Sequence, residues 1–110
     1  MHECVFSAED FLEKNIHAMD IAKALIDRGF HPPTICFPLI VREAIMVEPT
    51  ETEDKETLDN FIAAMVEIFE TIQTAPEKIK VAPISTPISR VDEASAARQP
   101  VTAVLTKCLR

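Results

Sequence analysis

The chain has 110 residues, 47% hydrophobic and 26% charged, with eight prolines, one glycine and no tryptophan or tyrosine. This is the composition of one folded soluble domain, with room for a modest core and not for an autonomous two-domain enzyme. Eighteen acidic against eleven basic residues give a net charge of -7, which repels phosphate backbones and argues against nucleic acid as a partner.

No run reaches the roughly 20 apolar residues of a membrane span, and Met1-His2-Glu3-Cys4 does not open like a signal peptide, so neither insertion nor secretion is expected. Cys4, Cys36 and Cys108 are odd in number and widely spaced, which fits a reducing compartment and a cytoplasmic location.

Taken in chain order, residues 2–7 predict a short strand ending at Ser7, a candidate cap for a short helix with Asp10 as partner. Ala18, Ile21, Ala22, Leu25 and Ile26 recur at helical spacing over 18–28, and Gly29 stands where a left-handed cap is wanted. Phe30-His31-Pro32-Pro33-Thr34 must leave that helix extended, because each proline lacks an N–H and biases its predecessor away from helix.

Residues 35–41 and 44–48 are short, apolar and β-branched, which predicts an antiparallel pair turning at Arg42-Glu43, with Pro38 marking an edge or a bulge. A long helix is expected next, capped by Thr50 with Glu53 as its box partner, or by Thr52. Its stripe is Leu58, Phe61, Ile62, Met65, Ile68, Phe69 and Ile72, and it should stop near Thr74, ahead of Pro76. Beyond Pro76 the prolines Pro83, Pro87 and Pro100 punctuate the chain, and only 91–98 reads as helix, with Asp92 as cap.

The expected fold class is α+β, a small antiparallel sheet covered by helices. A single domain over 1–110 is expected, with a compact core in 1–75 and an extended tail in 76–110 wrapped over a surface.

Chemically the residues are sparing. His2, Cys4, His17, His31, Cys36 and Cys108 are the potential metal ligands, yet neither CxxC nor HExxH occurs, so no metal is expected and the cysteines read as buried packing residues. His31 and Cys36 are close in sequence, but no third group is placed to orient a nucleophilic pair. The acids in Glu48-Pro49-Thr50-Glu51-Thr52-Glu53-Asp54 are explained by helix capping and dipole complementarity as well as by acid–base work. One glycine leaves no glycine-rich phosphate loop. His31 on stiff extended backbone suits presentation into a site and equally a simple chain reversal.

Several strings carry a resemblance: His2-Glu3-Cys4-Val5, Asp20-Ile21-Ala22-Lys23, Gly29-Phe30-His31-Pro32-Pro33-Thr34, Phe37-Pro38-Leu39-Ile40-Val41 and Glu48-Pro49-Thr50-Glu51-Thr52-Glu53. They continue through Lys55-Glu56-Thr57-Leu58-Asp59, Phe61-Ile62, Thr86-Pro87, Arg90-Val91-Asp92-Glu93 and Ala96-Ala97-Arg98-Gln99-Pro100. In this order they resemble the C-terminal end of the glycine cleavage system P-protein, in particular the end of the second subunit of the split bacterial enzyme. Arg42, at a position where relatives commonly have proline, and the ending over 101–110 depart from the pattern.

The resemblance implies the small C-terminal domain of a fold-type I pyridoxal-phosphate enzyme, closing over a site whose cofactor lysine lies upstream of this chain. The whole enzyme would decarboxylate glycine and pass the aminomethyl group to the lipoyl arm of the H-protein. None of Lys14, Lys23, Lys55, Lys78, Lys80 and Lys107 lies in the cofactor-lysine context. The chain alone is therefore expected to be inactive, to hold no cofactor and to contain no catalytic residue.

Its expected partners are the cofactor domain, the other subunit and the H-protein. Arg90 is the candidate grip for a substrate carboxylate, since a guanidinium matches one bidentately, and a surface or interface ion pair is its plainer role. His31 and Thr34 are candidates for the closing cleft, and Thr50 and Glu51 for contact with the cofactor domain or the other subunit. Two alternatives stand beside this: a non-enzymatic, self-associating module derived from the same domain, and the small domain of another fold-type I enzyme, which would not share the FHPPT and EPTETE strings.

Overall fold

The structure, a computed structural model, describes residues 3–100. His2, Cys108 and the atypical ending over 101–110 lie outside the described residues.

Strand β1 (Cys4–Ser7) leads into a 3-10 helix (Glu9–Lys14), helix α1 (Ala18–Ile26), strand β2 (Thr34–Ile35) and strand β3 (Ala44–Val47). Helices α2 (Lys55–Thr74), α3 (Pro76–Lys80) and α4 (Glu93–Arg98) follow. The strands form one antiparallel sheet in the order β1-β3-β2, so the architecture is the expected α+β domain.

The register sets Phe6 opposite Ile45 and Ile45 opposite Ile35, which puts these three side chains on one face. That face meets the core: Ile45 is fully buried beside Ile16, Ile21, Leu25, Ile68 and Ile72, with Ile35 and Val47 packed against the cluster. Two aromatic contacts seal the edges, Phe11 to Phe69 with centroids 5.5 Å apart and Phe30 edge-on to Phe61 at 5.3 Å.

Helix α1 ends as its sequence predicts. Gly29 adopts φ +80°, the Phe30 N–H reaches the Leu25 carbonyl at 3.1 Å and the Gly29 N–H reaches Ile26 at 3.0 Å, the paired bonds of a Schellman turn. Its start is set from a distance. Glu43, in the left-handed region at φ 51° just before β3, accepts the Ala18 N–H at 2.8 Å and meets His17 Nδ1 at 3.0 Å. The desolvation of Glu43 is outweighed by these hydrogen bonds, and its carboxyl lies below the ordinary 4.5.

Four local expectations are corrected. The strand expected over 35–41 is only Thr34–Ile35, because Cys36 turns into the left-handed region at φ 64° and Pro38 has no N–H to continue a ladder. The long helix is capped by Asp54, which accepts the Thr57 N–H at 2.7 Å, while Thr50 and Thr52 bond each other at 2.8 Å. Ile62, read as part of the buried stripe, is 60% exposed. Helix resumes before residue 91, since α3 starts on Pro76 at its first turn and buries Ile79 against α1 and α2. Helix α4 is capped by Asp92 as expected, through the Ser95 N–H at 3.0 Å.

The segment after α3 returns across α1 and is held there by two carboxylates. Asp20, buried, accepts from Lys80 Nζ at 3.0 Å, Arg90 Nη1 at 2.6 Å and the His17 N–H at 2.9 Å. About two turns further on, Asp27 accepts the Ile84 and Ser85 N–H groups and the Ser85 hydroxyl, the last at 2.6 Å.

Candidate functional site

Because Gly29 closes α1 and two prolines follow, the chain crosses the end of the sheet as a stiff extended segment before Thr34 pairs with Met46. Opposite it stand the residues leaving β3, Glu48 and Pro49, and the first turns of α2 with Thr57, Leu58 and Phe61. Between them lies an open groove of about 370 Å³, within the range of small-ligand or side-chain sites. The Phe30–Phe61 pair contributes to its apolar wall.

His31 and Thr34 both line this groove. Thr50 and Glu51 do not; they are exposed on the loop between the lining residues Pro49 and Glu53. Arg90 lies away from it. Besides its bond to Asp20, its Nε donates to the Ala82 carbonyl at 2.8 Å and its Nη2 to that of Ile79 at 3.3 Å, so the guanidinium is committed to the fold. The ion pair it makes with Asp20 lies within the chain. Reading the sequence missed Thr57 as a groove residue and explained Glu48 and Glu53 chiefly by capping; Leu58 and Phe61 were read as part of the buried stripe, and are half-buried lining instead.

The groove is electrostatically one-sided. Glu48 and Glu53 line it, among the described residues no lysine or arginine does, and the neighbouring Lys55 is paired with Asp59. The positive end of α2 is met by Asp54, whose carboxyl is held below the usual 3.8 by the Thr57 amide. An anion finds little welcome here. A second cavity, between α1, α2 and α3, mixes Asp27 and Glu67 with Arg28 and Lys78 and presents no single sign.

Cys4 and Cys36 are exposed, contrary to the buried packing role expected of them. Among the described residues no group of three or more His, Cys, Asp or Glu side chains is arranged to hold a metal ion. Among them, too, no helix is long and apolar enough to cross a membrane. Large apolar side chains stand in solvent instead, most of all Leu39 at 81% and Ile40 at 94% on the β2–β3 connection, and Ile84 and Ile88 on the returning segment. Such exposure marks an interaction surface when it is contiguous.

Comparison with known proteins gives these features a setting. The family described as "Glycine dehydrogenase, C-terminal domain" matches residues 1–89. Probable glycine dehydrogenase (decarboxylating) subunit 2 of Desulforamulus reducens is 53% identical over 102 residues, 92% of this chain and 21% of that protein. The proteins of the same description from Caldanaerobacter subterraneus and Staphylococcus haemolyticus are 52% and 54% identical, over 92% and 91% of this chain and 21% and 20% of their own lengths. The chain thus spans about a fifth of the length of the curated relatives it matches.

Proposed function

The chain belongs to the glycine dehydrogenase C-terminal domain family, and from that premise we propose that it closes over the active site of a pyridoxal-phosphate-dependent glycine decarboxylase. The match over most of the chain, to proteins of which it makes up a fifth, is the observation that carries this role. The enzyme as a whole decarboxylates glycine and passes the aminomethyl group to lipoylated H-protein. Its partners are the cofactor domain, the other subunit and the H-protein, in the cytoplasm, with neither nucleic acid nor membrane involved.

Pyridoxal phosphate supplies the electron sink for such chemistry. The groove does not fit it: among the described residues it has no lysine to bond the aldehyde, and its carboxylates repel a phosphate ester. The cofactor is therefore assigned to the larger part of the enzyme, and the chain alone is inactive. What these residues contribute is position and water exclusion, with His31 and Thr34 turned to the closing cleft and the loop of Thr50 and Glu51 meeting the cofactor domain or the other subunit. Arg90 acts one step removed, fixing the returning segment through Asp20.

The exposure of Leu39, Ile40, Ile84 and Ile88 also favours a second role, a self-associating module that uses the same surface without the enzyme. Sedimentation separates the two. A closing domain sediments as a monomer alone and binds stoichiometrically to glycine dehydrogenase that lacks its C-terminal domain. A self-associating module forms a dimer or higher species at micromolar concentration and ignores the enzyme.

A further inference from the structure

We propose, resting on the closing role above, that the groove between the His31–Thr34 segment and the start of α2 receives a lysine or arginine side chain from the other four-fifths of the enzyme. Two observations converge on a cation with an apolar stem. The walls are largely carbon, from Phe30, Pro32, Pro33, Leu58 and Phe61, and fit an alkyl chain laid against them.

Among the described residues, carboxylates and no lysine or arginine stand at these walls. Glu53 lines the groove, exposed and without a side-chain hydrogen bond or ion pair among the described residues, and Glu51 stands beside it on the same loop. Among the described residues no lysine or arginine lines the groove to answer them, and His31 is its one imidazole. The start of α2, which would draw an anion, is already met by Asp54. The occupant is assigned to the rest of the enzyme because relatives of this chain extend to about five times its length, and a domain of net charge -7 docks best against basic surface.

The test uses the chain itself, with n-hexylammonium as a lysine-like probe and hexan-1-ol and hexanoate as its neutral and anionic counterparts. Amide chemical shifts of Thr34, Thr57 and Phe61 are followed at pH 8. The ammonium should bind about threefold or more tightly than the alcohol and hexanoate least, a preference that vanishes near 0.5 M salt. Glu53→Gln should bring the ammonium down toward the alcohol while leaving the unfolding midpoint unchanged.

In the second arm, Glu53→Gln should weaken docking onto the enzyme lacking this domain by about threefold at low salt. Equal binding of all three probes, or shifts confined to residues outside the groove, overturns the proposal. So does an ammonium preference with undiminished docking of the variant, which would make the groove a site for a free amine. If the wild-type chain does not dock at all, the closing role fails and the assigned source of the cation fails with it. The ammonium preference, read on the chain alone, keeps that failure distinguishable from an error in the groove's chemistry.

Discussion

Replacing Ile68 with alanine should lower the unfolding free energy by about 3 to 4 kcal/mol, whereas Ile62→Ala should change it by less than about 0.5 kcal/mol. Reading the sequence put both residues in one apolar stripe of α2, yet Ile68 is 0% exposed at the junction with α1 and the sheet, and Ile62, roughly 120° away around the helix, is 60% exposed. Removing three carbons from the first leaves a void that its close-packed neighbours fill only in part. Removing them from the second surrenders contacts with water. Urea unfolding of the two variants reads the difference directly, and similar losses at both positions would mean that α2 is rotated about its axis from the orientation described.

Asp20→Ala should cost about 2 to 4 kcal/mol, the second largest effect. The carboxylate is buried and serves Lys80, Arg90 and the His17 amide at once, so its loss leaves two cations and an N–H without their acceptor. The figure stays below that of a fully enclosed ion pair because the Lys80 and Arg90 side chains are about a third exposed and turn to water when released. For Asp20 burial raises the pKa, but the His17 amide, Lys80 and Arg90 outweigh it and the net shift is downward from 3.8. A folded-state pKa below the unfolded one stabilises above the unfolded value and ceases to do so as pH falls through the folded value. The gap between wild type and Asp20→Ala should thus be full at neutral pH and shrink below about pH 4. A gap under about 1 kcal/mol at pH 7 would mean that the clasp on the returning segment is open in solution.

Periodicity made the two main helices legible, because Ala18, Ile21, Ala22 and Leu25, and Met65, Ile68 and Ile72, are spaced for one face and are buried on it. The stripe drawn for α2 was too wide at Ile62, which stands roughly 120° around the helix from Ile68 and faces solvent. The choice of cap was open for a local reason: Thr50, Thr52 and Asp54 are all competent, and the mutual bond of the two threonines leaves the acid to the helix. Composition misled over 35–41, where β-branched residues suggest a strand but the backbone at Cys36 turns it aside. Proline at the first turn of α3 was a signal that went unread.

The candidate site was half legible. The string Phe30-His31-Pro32-Pro33-Thr34 announced a stiff segment with a ring and a hydroxyl to present, and His31 and Thr34 do share a groove. Its other wall comes from residues 48–61, and no spacing rule joins the two. Arg90 illustrates the limit. Its partner Asp20 is 70 residues away, and the only hint was an acid on the otherwise apolar face of α1.

Restored catalysis tests the closing role most directly. The chain is added to glycine dehydrogenase lacking its C-terminal domain, with pyridoxal phosphate, glycine and lipoylated H-protein, and glycine-dependent carbon dioxide release is measured against chain concentration. A closing domain predicts release that rises saturably, by roughly tenfold or more, at the concentrations where the chain docks. Docking without any rise in carbon dioxide release, or no docking at all, would contradict it.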